Sequence, residues 1–294
     1  LHKYLRAIGL SEIHNRYDVN RLMALTVSRA DERLFTSLTG DEMLAEYNLI
    51  LGKNMGVTVR GEYNEENQFL AEYYVPFFRG EQISSYSDIS VDRQAEKEAY
   101  SGYCDDIRVG VSLIFYLQNV VGYLKRKNSG SFPLPGTSLS LTGLSVSGKI
   151  LLPIEKTVDD VFMARQQTKK RSILIAKARQ GDEEAIESLT LSDLDTYSKI
   201  SRLIVNTDIL SLVDTYFMPY GIECDQYTIL GNILSCEKHE NILSGEQVWQ
   251  MSVLVNDMNM DVCINEQDLL GEPAVGRRFK GNIWLQGLIH FPSN

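Results

Sequence analysis

The chain has 294 residues, 44% hydrophobic and 23% charged, with a net charge of −10 and a pI near 5.0. This composition suits a globular protein with room for two or three cores, and its acidity argues against broad electrostatic binding to nucleic acid or anionic membrane. No apolar run approaches the roughly 20 residues of a membrane span, and Leu1-His2-Lys3-Tyr4-Leu5-Arg6 lacks the apolar core of a signal peptide, so a cytoplasmic location is expected.

In chain order, Tyr4, Leu5 and Ile8 share one face of an opening helix that Gly9 ends. Val19–Ala30 repeats apolar residues at helical spacing, and Asp41–Lys53 (Met43, Leu44, Tyr47, Ile50, Leu51) predicts a further helix. The period then changes. Val57–Tyr63 alternates, Asn64-Glu65-Glu66-Asn67 is turn material, and Phe69–Phe78 is rich in aromatics, which together predict a β-hairpin. Arg108–Leu117 reads as a strand and Val120–Lys127 as a short helix. Leu139–Thr142 and Gly148–Ile154 read as two more strands, with a bulge at Gly143. Thr157-Val158-Asp159-Asp160 resembles a capping box and opens a helical stretch to Gln180; helices from Glu183 and from Ser192 follow. A last helix carries Ile209, Leu212, Val213, Tyr216 and Phe217 and stops at Pro219-Tyr220-Gly221. Beyond it, Tyr227–Glu237, Gln247–Val255, Met260–Ile264 and Phe279–Phe291 read as strands, and Glu266–Gly271 as one helical turn. Glycines 281 and 287 inside the final strand suit the corners of a small barrel. The expected fold class is therefore α+β: residues 1–155 an α+β domain with an antiparallel sheet, 156–218 a helical block, and 219–294 a small β-barrel-like domain.

Chemical motifs are few. Gly143–Lys149 has the spacing of a phosphate loop, but Ile150 replaces the Ser or Thr that a metal needs and a strand replaces the helix. Cys104, Cys224, Cys236 and Cys263 form no C-x-x-C pair, and the four histidines add no short ligand spacing, so no metal and no cofactor is expected. Glu223, Asp225 and Tyr227 are candidate catalytic residues, two carboxylates sharing a face with a phenol nearby. The simpler reading is that they satisfy backbone N–H groups after the helix. Arg277, Arg278 and Lys280 are candidate ligand-binding residues, placed to hold an anion or to meet Glu223 and Asp225. Tyr63, Tyr73, Tyr74, Phe77, Phe78 and Tyr86 line an aromatic groove or, more simply for most of them, are sheet core and cross-strand pairs.

Three segments carry a resemblance: His2–Gly9, Gly110–Asn119 and Tyr216–Tyr227, with Phe279–Gly287 similar too. Through them the whole chain resembles an uncharacterised family of anaerobic Gram-positive bacteria, a domain of unknown function, so the resemblance implies a bacterial protein and transfers no catalytic residue. The expected function is a non-enzymatic binding or regulatory protein with an unknown protein or small-molecule partner. An enzyme of hydrolase type at the helix–barrel junction is the alternative, and a single-stranded nucleic-acid binder comes third.

Overall fold

A computed structural model describes residues 1–38, 43–94, 99–106, 108–109, 111–130, 136–154, 170–171, 173–178, 180–203 and 213–292. After a 3-10 turn (Lys3–Ile8) comes helix α1 (Arg16–Arg29), whose Asn15 side chain caps it by accepting from the Asp18 amide at 3.0 Å. An antiparallel meander follows: β1 (Glu32–Ser37), β2 (Met43–Gly52), β3 (Met55–Tyr63) and β4 (Phe69–Phe78). The helix predicted over Asp41–Lys53 is corrected to strand β2. Its apolar spacing fits a helix, but β2 is buried on both faces, so the two-residue alternation of a half-exposed strand is missing. The predicted hairpin is β3–β4, turned at Asn67 with a φ of 60°.

The chain continues through β5 (Ile89–Arg93), β6 (Tyr100–Asp105), β7 (Ser112–Leu117), α2 (Val120–Asn128) and β8 (Ser138–Leu151). β8 is one strand where the sequence reads as two. Gly143 is no bulge; it lets β8 approach β14, since a Cβ there would lie 2.9 Å from Ile283. The central segment contains α3 (Glu183–Leu203), a single helix across the start predicted at Ser192. Most of the predicted Thr157–Gln180 helix, and Ile209 to Leu212 of the last one, lie outside the described residues. Tyr216 and Phe217, read as the end of that helix, instead form β9 (Tyr216–Pro219) along β10 (Gln226–Glu240). β11 (Gln247–Val255), β12 (Met258–Asn265), a 3-10 turn (Glu266–Asp268), β13 (Leu269–Leu270) and β14 (Arg278–His290) complete the chain.

Strands β8, β12, β11, β10 and β14 close a barrel, because β14 pairs β10 on one side and returns to β8 on the other. The protein is thus α+β, with a four-stranded antiparallel sheet toward the N-terminus and a small closed barrel toward the C-terminus. The barrel is completed by a strand from ahead of the central segment. Ile229, Val253, Val262, Phe279 and Ile283 fill its interior, while Tyr4, Leu5 and Ile8 pack with Leu49, Val57 and Trp284 in a second core. From β14, the sheet extends through β7, β6 and β5.

Side chains stitch the four-stranded sheet to this extended sheet. The Phe78 carbonyl accepts from Gln118 Nε2 and Thr142 Oγ1, both at 2.7 Å, and Gln286 Nε2 donates to the Pro76 carbonyl at 2.8 Å. Gly61 sits where β3 shifts register against β4, and a Cβ there would lie 1.9 Å from the Leu70 carbonyl oxygen. Backbone cannot yield as a flexible side chain does. Urea unfolding of Gly61→Ala is therefore expected to show a loss of about 1–3 kcal/mol. Gly122→Ala, within α2 and with its nearest neighbour at 3.7 Å, is expected to gain about 0.5–1 kcal/mol.

Candidate functional site

Alternate residues of a strand point to one face, so β1 to β4 present Glu32, Leu34, Glu46, Asn48, Thr58, Arg60, Val75 and Phe77 together. Register sets Arg60 opposite Glu46 and Tyr73, and Thr58 opposite Asn48 and Val75. This face looks onto Tyr116 and Leu288 of the extended sheet and onto Gln118 and Asn119 just after β7. A cavity of about 400 Å3 lies between them, and its apolar walls are Leu34, Val75, Phe77 and Leu288.

Arg60 forms the floor and is fully buried. Its Nε donates to Glu46 Oε2 at 2.7 Å, Nη1 to the Tyr116 hydroxyl, and Nη2 to the Gln118 carbonyl at 2.7 Å. Burial alone favours loss of the charge, but Tyr116 and Glu46 outweigh it and hold the guanidinium pKa above its usual value. Burial also pushes the Tyr116 hydroxyl up, so it stays neutral. From Glu46 the network runs outward. Asn48 Nδ2 bridges Glu46 Oε1 at 3.2 Å and Glu32 Oε2 at 3.0 Å, and Thr58 Oγ1 donates to Asn48 Oδ1 at 2.6 Å. At the mouth, Arg79 gives Glu32 two hydrogen bonds, 2.8 and 2.6 Å, and lies 4.6 Å from the Phe77 ring centre. These hydrogen bonds hold the Glu32 carboxyl below its usual range although burial opposes them. Two guanidinium groups thus face two carboxylates, each engaged by an opposite charge.

The residues singled out from sequence are distributed differently. Glu223 accepts from Gln226 Nε2, whose Oε1 takes Lys3 Nζ at 3.3 Å. Asp225 Oδ2 accepts from Trp284 Nε1 at 2.7 Å, and Tyr4 stacks on Trp284 with ring centres 5.4 Å apart. The structure therefore gathers Glu223 and Asp225 with Lys3, Tyr4 and Trp284. Tyr227 points elsewhere: its buried hydroxyl accepts from the Ile114 amide at 2.8 Å and donates to the Ile114 carbonyl at 3.2 Å. Arg277 Nη1 donates to the Glu272 carbonyl at 2.6 Å, and Arg278 donates to the carbonyls of Leu152 and Val213 at 3.0 and 3.1 Å. Lys280 lies between Leu230 and Lys149 in the barrel wall. Arg278 and Trp284 are six positions apart on β14, about 20 Å at the rise of a strand, too far for Arg278 to meet Asp225. Of the aromatics read as a possible groove, Phe77 lines the cavity, whereas Phe78 is core and Tyr73 and Tyr74 pack against that core.

Arg60, Glu46, Asn48 and Glu32 were not legible as a site. Thr58, Arg60 and Glu62 alternate with Val57, Val59 and Gly61, and polar alternation reads as a solvated face. Among the described residues, no three His, Cys, Asp or Glu side chains are grouped to hold a metal ion, and no helix is long and apolar enough to cross a membrane. The family model DUF3881, described as a domain of unknown function from an E. rectale gene, matches residues 5–287, and the chain belongs to this family. No curated protein and no solved structure matches the chain.

Burial raises the Asp225 carboxyl pKa, with the Trp284 N–H pulling the other way. A folded-state pKa above the unfolded one means that the ionised carboxylate costs stability at pH values above the folded pKa. That cost fades as pH falls through it. Asp225→Asn retains an acceptor for Trp284. It is expected to raise the urea midpoint at about pH 7 and to lose that gain below about pH 4; a gain that persists in acid contradicts this origin.

Proposed function

We propose that the protein binds a small molecule in the cavity between the four-stranded sheet and the extended barrel sheet. The carrying observation is a space of about 400 Å3 with apolar walls over a floor of paired, hydrogen-bonded charges. Pockets for small ligands span about 300–1,000 Å3 and combine apolar walls with a few fixed polar groups. Leu34, Val75, Phe77 and Leu288 supply the first, each Å2 of apolar ligand surface contributing roughly 25 cal/mol when removed from water. The Arg60 network supplies the second without reorganising, since its partners are in place before any ligand arrives.

Binding is favoured over turnover because the lining hydroxyls are already engaged, Thr58 with Asn48 and Tyr116 with Arg60. The test is fluorescence titration with N-phenyl-1-naphthylamine, a neutral dye that brightens in apolar surroundings. Saturable binding is expected. Val75→Phe, which adds a ring to the cavity wall, is expected to weaken it roughly tenfold or more while the protein still unfolds cooperatively. Undiminished dye binding by a folded Val75→Phe variant places the dye elsewhere and counts against the proposal.

A further inference from the structure

We infer that Glu32 sets the charge selectivity of the cavity, acting as a built-in anion on Arg79 so that the site admits neutral ligands and turns away anionic ones. The inference rests on the binding function proposed above and concerns the same cavity. Among the described lining residues, Arg79 is the only cation that is also part-exposed, with 29% of its side-chain surface reachable, so it is the group an incoming anion meets first. Its planar fork is already filled by both oxygens of Glu32. Bidentate pairing of this kind is the geometry an external carboxylate or sulfonate would need.

Displacing Glu32 is costly for a local reason. Asn48 Nδ2 holds the carboxylates of Glu32 and Glu46 on one amide. If Arg79 turned to a ligand, those two like charges would remain around Asn48 with Arg60 alone to balance them. Glu32 is also tethered, since its backbone is locked in register with Asn48 across β1 and β2. A free anion must compete with a group whose effective concentration is that of an intramolecular partner. Cationic ligands meet the same obstacle in reverse, because both carboxylates at the cavity are taken by guanidinium groups.

Two dyes with one ring system separate the possibilities. N-phenyl-1-naphthylamine is neutral, and 8-anilinonaphthalene-1-sulfonate adds one sulfonate. Glu32→Gln frees Arg79 from its carboxylate, and it is expected to raise the affinity for the sulfonate relative to that for the neutral dye roughly tenfold. Glu32→Gln with Arg79→Gln is expected to remove that gain. An unchanged ratio of the two affinities in Glu32→Gln overturns the inference and leaves the binding function standing. Failure of both dyes to bind the natural protein overturns both. A measurement that needs no variant is displacement of bound N-phenyl-1-naphthylamine by 1-naphthaleneacetamide against 1-naphthaleneacetate. The amide is expected to displace it at roughly one-tenth the concentration or less, and equal displacement by the acid overturns the inference.

Discussion

A guanidinium with no surface in water organises this molecule. Transferring Arg60 out of solvent costs several kcal/mol even after relaxation, so it persists only because three directions of its fork end on acceptors. Those acceptors belong to different parts of the chain: Glu46 on β2, Tyr116 on β7, and the Gln118 carbonyl just past β7. The pairing with Glu46 fixes register within the four-stranded sheet. The other two bonds fasten that sheet to the one extending from the barrel. Gln118 Nε2 and Thr142 Oγ1 on the Phe78 carbonyl, with Gln286 Nε2 on the Pro76 carbonyl, extend the same seam. Gln286 orientation is set by the backbone, because Nε2 donates to Pro76 and Oε1 accepts from the Phe78 amide at 3.2 Å. That in turn orients Gln118, whose Nε2 meets Gln286 Oε1 at 2.8 Å.

The seam explains why a cavity survives beside a buried ion pair. Side chains of unlike shape, a branched polar network below and Val75, Phe77, Leu34 and Leu288 around it, cannot close over one another. A fixed charge also resists the collapse by which an apolar hole would fill. Strand β14 ties the regions together: Arg278 meets the carbonyls of Leu152 and Val213, Trp284 meets Asp225, Gln286 joins the seam, and Leu288 forms part of the cavity wall.

Much of the architecture was legible from pattern. The Val57–Phe78 hairpin, the short helix after Val120 and the closing strands stand in the sequence because turns and alternation are local properties. The family was legible from segments such as Tyr216–Tyr227. β2 was not, because burial on both faces removes alternation and leaves apolar spacing that suits a helix equally well. β9 was not, because Tyr216 and Phe217 pair with β10, a partner that local spacing does not reveal. The cavity was least legible. Glu46 lies in a segment whose apolar spacing suits a helix, and it and Arg60 acquire meaning only when register sets them face to face. The acids at Glu223 and Asp225 drew attention by proximity in sequence, yet Asp225 serves Trp284 and Tyr227 serves Ile114.

The central claim, that Arg60 couples the two sheets, is tested most directly by a double-mutant cycle between Arg60→Met and Tyr116→Phe in urea unfolding. Arg60→Met is expected to cost about 3–5 kcal/mol, because Glu46 is left buried without its partner. The double variant is expected to lose less than the sum of the single variants by about 1 kcal/mol or more. A loss at Arg60→Met within about 0.5 kcal/mol of zero, or strict additivity of the two losses, contradicts the account.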